Sequence, residues 1–336
     1  CYFRTPMQKE NTQGLKQYLL EPRNIVITNH VNPDGDAMGS ALAMQMLLIK
    51  QGHHASVIVP NEYPHFLKWL PSDKDVVVFM NEKEKSEELL NNSDLVIVLD
   101  YNALHRSGPM QNTLETYKGK FLMIDHHQQP SDFADWMISD TSKCSTAQMV
   151  YEFAEQFDLV PFMDTAVAEN IYTGIVTDTG SFRFSSTTST THKITAHLLE
   201  LGVKPDSVYN NIFDANSVSR FKLLGCMLEN MKVFQSKHSV ILYVSEEDQS
   251  KHNYRKGDSE GFVNYGLSIE GIKFAIFIRE EKGFCKISLR SKGDLDVNQI
   301  SRQNFNGGGH KNAAGGLVEK PLVEVLKIAE SVIGVI

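Results

Sequence analysis

Four cysteines in 336 residues, Cys1, Cys144, Cys226 and Cys285, lie scattered without a CxxC pair. That scarcity excludes a disulfide framework and is the pattern of free thiols in a reducing compartment. Long hydrophobic runs are missing too. No apolar stretch approaches the ~20 residues that span a bilayer, and no charged-then-apolar leader opens the chain. The expectation is a cytoplasmic protein with no membrane partner, although a chain that starts at Cys1 and not at Met lends its N-terminus little weight. Positive charge is in short supply: 33 Lys and Arg stand against 41 Asp and Glu, for a net charge of −8. A protein that grips long duplex nucleic acid normally presents a broad basic surface. Any nucleic-acid partner is therefore expected to be short and held locally by a few cations. Internal repeats and low-complexity tracts are absent.

What is present is ordinary globular material, 41% hydrophobic and 22% charged, in a length that suggests about two domains on a prior of ~150 residues each. Residues 12–21 read as a short amphipathic helix. The apolar run Ile25–Ile27 ends in a polar loop, and Ala37–Gln51, rich in Ala, Leu and Met, reads as a helix ended by Gly52. A strand over Ala55–Pro60, a segment Phe66–Leu70, an apolar run Val76–Met80, an exposed helix over 82–92 and a strand Leu95–Leu99 follow. Phe121–Ile124 is a further strand, Ser145–Thr146 caps a helix through about Phe157, and helices are expected over 164–177 and 192–201. Short β-type runs alternating with helices indicate an α/β fold whose N-terminal domain is a mostly parallel sheet flanked by helices. Gly202–Pro205 breaks this pattern, and a helical stretch near Ser217–Met231 bridges the halves. From Val233 the strand-like runs Ser239–Val244, Lys273–Arg279 and Phe284–Arg290 dominate, closed by a helix over Val323–Val332. The expected organisation is a catalytic domain over 1–205, a helical linker over 206–233, and a smaller α/β domain with a mixed sheet over 234–336.

In parallel sheets, sites form outside the carboxyl ends of the strands. Here the first strand leads to His30, Asp34 and Asp36, another to Asp100, and another to Asp125–His126–His127. Asp178 follows a helix. Carboxylates and imidazoles suit Mn²⁺ and related borderline cations. The set His30, Asp34, Asp36, Asp100, His126, His127 and Asp178 exceeds what one ion needs. A shared carboxylate between two ions would use it, and that arrangement suits phosphoryl transfer. Singly, each group has a plainer explanation: Asp34–Gly35 as a turn, Asp100 as a helix cap, the adjacent histidines as surface residues, Asp178–Gly180 as a loop. The ordered combination is what points to metal. In the C-terminal half, Gly307, Gly308 and Gly309 would let backbone N–H groups approach an anion, and His310 adds a donor. Arg290 can fork onto a phosphate, with Ser288 two residues earlier on the same strand face. Between Glu270 and Lys311 eight Lys and Arg outnumber five Asp and Glu. The plainer explanations there are a flexible loop and a surface charge.

The ordered motifs His30–x₃–Asp34–x–Asp36, Asp100 after LVIVL, Asp125–His126–His127 and Asp178–Thr179–Gly180 resemble those of the DHH-superfamily phosphoesterases. The cluster GGGHKNAAGG, from Gly307 to Gly316, resembles the signature of the DHH-associated C-terminal domain. The resemblance spans nearly the whole chain. It implies two divalent ions, most often Mn²⁺, with His30 and Asp34 on one, Asp36, His126 and Asp178 on the other, and Asp100 bridging. It further implies that His127 meets the substrate phosphate as an electrophile or proton donor and that Asp125 orients its histidine neighbours. The corresponding glycine–histidine and arginine positions bind substrate in the family across an interdomain cleft. Family members are often dimers, so a homodimer is left open.

The stand-alone, two-domain members of the family are the nearest in kind. They degrade RNA fragments of a few nucleotides and remove the 3′-phosphate of adenosine 3′,5′-bisphosphate (pAp), which makes a hydrolase of short phosphorylated nucleotides the leading expectation. A soluble hydrolase of cyclic di-AMP or of linear pApA is the alternative within the same chemistry. A nucleotide sensor without turnover is the alternative of another class. The GGGH cluster sets the chain apart from inorganic pyrophosphatases, and its length leaves no room for the extra domains of single-strand exonucleases.

Overall fold

The computed structural model describes residues 9–336, and Cys1, with its expected free thiol, lies outside the described residues. Cys144, Cys226 and Cys285 are free thiols, the first and last of them buried. The chain divides between Ala215 and Asn216 into two compact units.

In the first unit, β1 (Asn24–Thr28), β2 (His54–Val59), β3 (Val77–Val78), β4 (Leu95–Leu99), β5 (Lys120–Asp125) and β6 (Trp136–Ser139) form one sheet in the order β3-β2-β1-β4-β5-β6. Every pairing is parallel. The order reverses between β1 and β4, which puts their carboxyl ends at the switch point where α/β sheets bind ligands. Helices α1 (Lys9–Tyr18), α2 (Gly35–Lys50), α3 (Lys83–Asn91), α4 (Gln111–Thr116), α5 (Thr146–Gln156), α6 (Thr165–Asp178), α7 (Ser189–Glu200) and α8 (Pro205–Ile212) complete the unit. Alternate strand residues feed two cores. Ile25, Ile27, Ile97 and Leu99 pack with α2, α5 and α6 on one face. Val26, Val96, Val98 and Met123 pack with Leu90 of α3 and Leu114 of α4 on the other. Coverage on both faces is why β4 reads as an unbroken apolar run, and all five of its residues are buried.

The Phe66–Leu70 segment overlaps a 3₁₀ turn over His65–Leu67, and the Val76–Met80 run supplies the two-residue β3. The edge strand β6 was not anticipated, because four half-exposed or exposed residues carry no periodic apolar signal.

The packing that positions the site is the approach of α2 to α6. A Cβ at Gly39 would overlap the Asn170 carbonyl oxygen, and one at Gly35 would overlap Thr177. A Cβ at Gly174 would overlap that of Ala147 and sit 2.8 Å from Asp36 Oδ1. Glycine at these positions brings Asp36, in the first turn of α2, beside Asp178, the last residue of α6.

In the second unit α9 (Val218–Glu229), β7 (Lys232–Phe234), β8 (Ser239–Val244), α10 (Glu246–Lys251), α11 (Phe262–Leu267), β9 (Phe274–Glu281), β10 (Phe284–Ser291), α12 (Val297–Asn304), β11 (Gly308–His310), β12 (Ala313–Val318) and α13 (Leu322–Val335) follow. The sheet order is β11-β12-β10-β9-β8-β7. It is mixed: β8 and β9 run parallel and the other pairs antiparallel. One face packs on α13 through Val325, Ala329 and Ile333, the other on α9 and α11 through Leu223, Met227 and Phe262. Within the 206–233 span, α8 buries Val208 and Ile212 in the first unit's core, and α9 buries Leu223 and Met227 in the second's. Among the described residues, no helix is long and apolar enough to cross a membrane.

Because Gly174 has no room for a methyl group, Gly174→Ala is expected to lower stability by about 1–3 kcal/mol through overpacking, despite the ~1 kcal/mol advantage of Ala within a helix. Urea unfolding measures this. An unchanged midpoint would show that α2 and α6 can separate at no cost.

Candidate metal centre

Each candidate group sits where an element begins or ends. Asp34 N-caps α2, its Oδ1 accepting the N–H groups of Asp36 and Ala37 at 3.0 Å, so the turn role and the place in the site coexist. Asp100 follows β4 with φ 63°, a left-handed conformation that Asp tolerates better than most residues. Asp125 ends β5, with His126 and His127 directly after it.

Asp100 is the centre of the array. Its Oδ2 lies 3.3 Å from His30 Nε2, while its Oδ1 lies 3.5 Å from His126 Nε2. His30 Nε2 is also 3.9 Å from Asp34 Oδ2. His126 Nε2 is 3.7 Å from Asp36 Oδ2 and 3.5 Å from Asp178 Oδ2. Two groups result, His30–Asp34–Asp100 and Asp36–His126–Asp178, each with its ligand atoms within 4.8 Å of one another. Ligand atoms about 2 Å from a shared cation are separated by roughly 3–3.5 Å, close to these spacings.

The groups behind the ligands fix their orientation. His30 Nδ1 lies 2.9 Å from the Val31 carbonyl and His126 Nδ1 lies 3.2 Å from the Lys143 carbonyl. A carbonyl only accepts, so Nδ1 carries a proton in both rings and Nε2 is the atom turned to the carboxylates, as a metal-ligating histidine requires. Asp36, 1% exposed, accepts the N–H groups of Thr146 and Ala147 at 2.7 and 2.8 Å. Those are orphan donors at the start of α5, where the helix dipole also favours an anion. The Thr146 hydroxyl donates to Asp100 Oδ1 at 3.1 Å.

Crowding of like charge perturbs the set. Burial and the charges of Asp100 and Asp178 push Asp36 well above the usual carboxylate range. Burial also works against an ionised Asp100, but hydrogen bonds from His126 and His30 outweigh it and hold that carboxyl well below the usual range. Burial disfavours protonated His30, yet its bond to Asp100 and the Asp34 charge raise it to about 9. His126 is likewise raised well above 6.5 against its burial, by Asp100, Asp178 and Asp36. Protons held this tightly by oxygen and nitrogen donors mark a place for a cation, and the donor set fits a divalent ion.

His127 differs from the other two histidines. Its N–H and Nδ1 meet Asp125 Oδ2 and Oδ1 at 2.8 and 2.7 Å, and its Nε2 lies 3.2 Å from Arg106 Nη2. Burial and the Arg106 charge lower its pKa. Asp125 therefore orients His127, whereas the Lys143 carbonyl orients His126. Thr146 entered the sequence reading only as a helix cap and Arg106 not at all. Neither has a local signal, since each reaches the site through tertiary folding.

In the second unit, burial alternates along β10, with Ser288 and Arg290 on its less buried side. Register places Arg290 opposite Ala313, and Ala313 opposite His310. It also places Ser288 opposite Gly315, and Gly315 opposite Gly308. The four candidates Arg290, Ser288, Gly308 and His310 thus share one sheet face in two adjacent rows. The glycines depart from the expected run of backbone donors open to an anion. Gly307 N–H donates to the Ser301 carbonyl and Gly309 N–H to Asn298 Oδ1. A Cβ at Gly307 would overlap the Gly315 carbonyl oxygen, so this glycine is needed for close packing of α12 and β11 on β12.

Thr146→Val removes the hydroxyl bond to Asp100 and keeps the backbone bond to Asp36. Mn²⁺ affinity is expected to fall about 10–100-fold, read by calorimetric titration; unchanged affinity would show that Asp100 needs no such support. With divalent ions removed by chelation, stability should fall between about pH 6.5 and 9. His30 has a folded pKa of about 9, above its ordinary 6.5, so its contribution is complete below the lower value and lost through the higher one. Asp36 acts in the same direction. Thermal unfolding midpoints across this range in chelator measure the effect, and a rising midpoint would contradict it.

Residues 24–175 match the DHH family, N-terminal domain, and residues 236–334 match the DHHA1 domain. The bifunctional oligoribonuclease and PAP phosphatase NrnA of Thermus thermophilus is 31% identical over 88% of this chain and 84% of that protein. The Bacillus subtilis protein of the same name is 27% identical over 88% of this chain and 89% of its own. The crystal structure of an exopolyphosphatase-related protein from Bacteroides fragilis is similar with a TM-score of 0.93 and 37% identity, covering 99% of this chain and 98% of that one. With these matches over almost its full length, the chain belongs to the DHH family and is a phosphoesterase whose second unit is a DHHA1 domain.

Proposed function

We propose that the protein hydrolyses short phosphorylated nucleotides, oligoribonucleotides of a few residues and 3′,5′-bisphosphates such as pAp, with two divalent ions, most often Mn²⁺. The observation that carries the two-ion reading is the placement of Asp100, whose two oxygens are turned to different histidines, His30 and His126. His30 and Asp34 would hold one ion, Asp36, His126 and Asp178 the other, with Asp100 shared. The ions, when bound, supply Lewis acidity to the phosphoryl oxygens and lower the pKa of water. The substrate class rests on the two relatives named for oligoribonuclease and PAP phosphatase activity.

The chain's own groups supply orientation and charge. Thr146 and the start of α5 hold the carboxylates Asp100 and Asp36 in place. Asp125 holds His127 with a proton on Nδ1, and these two are the proposed catalytic pair. Arg290, Ser288, Gly308 and His310 are the proposed substrate-binding residues of the DHHA1 domain, and Gly307 and Gly309 serve it by close packing, their N–H groups being spent within the domain. Arg290 can take a phosphate through two parallel N–H bonds. A net charge of −8 accords with a short substrate held at one place and not with a long duplex.

Purified protein with Mn²⁺ should be offered pAp, an RNA dinucleotide, pApA and cyclic di-AMP in parallel. Turnover of the first two ahead of the cyclic substrate is expected. No turnover of any, with tight binding of one, would establish a sensor instead. Asp100→Ala should abolish turnover, and near-normal activity in that variant would refute the shared-carboxylate reading. Arg290→Ala should raise KM about tenfold or more with a smaller change in kcat, since a charge-assisted bond to substrate is worth about 1.5–3 kcal/mol.

A further inference from the structure

The loop between β4 and α4 brings to the metal centre a guanidinium that no carboxylate among the described residues meets. Arg106 is half-buried, and its Nη2 lies 3.2 Å from His127 Nε2. Among the described residues it forms no ion pair within 4.0 Å. The other half-buried and buried ionisable groups nearby are paired: His30 with Asp100, His126 with Asp36, Asp100 and Asp178, His127 with Asp125. A guanidinium has five donors and no acceptor. Its bond to His127 therefore requires a lone pair on Nε2, and with Nδ1–H given to Asp125 the imidazole is neutral. A neutral ring nitrogen satisfies one N–H and none of the charge. Partial burial of a cation without an anion is costly. Such an arrangement persists where an anion arrives as ligand, and the planar fork matches phosphate geometry.

The backbone holds this arginine in register with the ligands. The Val31 N–H donates to the Arg106 carbonyl at 2.9 Å, and the Val31 carbonyl takes His30 Nδ1–H. Gly108, at φ 55°, lies so close to Val31 that a Cβ there would be 3.1 Å from Val31 Cγ2. The Ser107 hydroxyl closes the turn onto the Leu104 carbonyl at 2.6 Å. The Arg106 turn and the His30 loop are thereby one hydrogen-bonded body, with the guanidinium against His127.

We propose that Arg106 is a substrate-contacting residue of the first unit, whose guanidinium, held beside His127, takes an oxygen of the substrate phosphate. The fixed positive charge that the chain itself offers to the phosphate there belongs to Arg106. This deepens the phosphoesterase reading and rests on it for the presence of a phosphate at the metal centre.

The test compares wild type, Arg106→Lys and Arg106→Ala in the full chain, loaded with Mn²⁺. Three quantities are read: Mn²⁺ affinity, the affinity for inorganic phosphate by calorimetry, and kcat/KM on whichever ester of the panel wild type hydrolyses. Arg106→Ala should keep Mn²⁺ affinity within about threefold, weaken phosphate at least tenfold and lower kcat/KM about 10²–10³-fold, the range seen when one preorganised charged donor is lost. Arg106→Lys should recover part of both, and added guanidinium ion should restore part of the Ala variant's rate. Phosphate affinity within threefold of wild type in Arg106→Ala overturns the proposal. Loss of Mn²⁺ binding in both variants also overturns it, by showing a purely structural arginine. If wild type turns over no ester, the enzymatic reading fails separately, and the phosphate titration still decides on Arg106.

Discussion

Two carboxylates, Asp36 and Asp100, are buried within reach of one imidazole, His126, and the rest of the first unit is arranged so that they can be. Burying two like charges side by side is costly in a low-dielectric interior. The structure offsets this in three ways. The first N–H groups of α5 meet Asp36, the Thr146 hydroxyl meets Asp100, and protonated His30 and His126 stand in for positive charge. Each depends on α2, α5 and α6 lying closer than side chains ordinarily allow, which is what Gly39 and Gly174 permit. Helix packing and site electrostatics are one constraint here, and a methyl group at the helix contact would act on both.

The three histidines show how hydrogen bonds behind a ring decide its role. His30 and His126 spend Nδ1–H on carbonyl oxygens and turn Nε2 toward carboxylates. His127 spends Nδ1–H on a carboxylate and receives a guanidinium at Nε2. Adjacent in sequence, His126 and His127 therefore have different chemistry. His126 can give a lone pair to a cation that displaces its Nε2 proton, whereas the lone pair of His127 is already taken. The distinction lies in Lys143, Asp125 and Arg106, not in the two residues themselves.

Much of this was legible in the sequence for definite reasons. β4 is buried on both faces and so reads as five apolar residues ending at Asp100, and the α2 start is marked by Asp34–Gly35. Asp34 shows that the plain and the functional explanations of a motif need not compete, since one oxygen caps a helix while the other faces His30. The edge strand β6 was illegible because its apolar residues Trp136, Met137 and Ile138 are too few to show a period, although the first and last pack on one core and Met137 on the other. Thr146 and Arg106 were illegible for another reason. Their importance arises from partners 46 and 21 residues away, which local composition does not encode. The glycine cluster was legible as a feature and only partly as physics. Gly307 and Gly309 spend their N–H groups inside the domain, and the space they save lets β11 pack against β12.

The acidic character of the chain and a phosphate-bearing substrate appear opposed until charge is counted locally. Asp34, Asp36, Asp100 and Asp178 together would repel a phosphate, and no surplus of lysine elsewhere in a protein of net charge −8 corrects for that. Cations held by those carboxylates, as proposed, would reverse the sign at short range, where screening by salt is weakest. An arginine among them is then useful only if it is not consumed by the same carboxylates. Arg106 meets that condition through geometry: the carboxylate nearest to its partner, Asp125, is already committed to the far side of the His127 ring. Interposing a neutral imidazole between guanidinium and carboxylate keeps the cation close to the acidic cluster without letting the two neutralise each other.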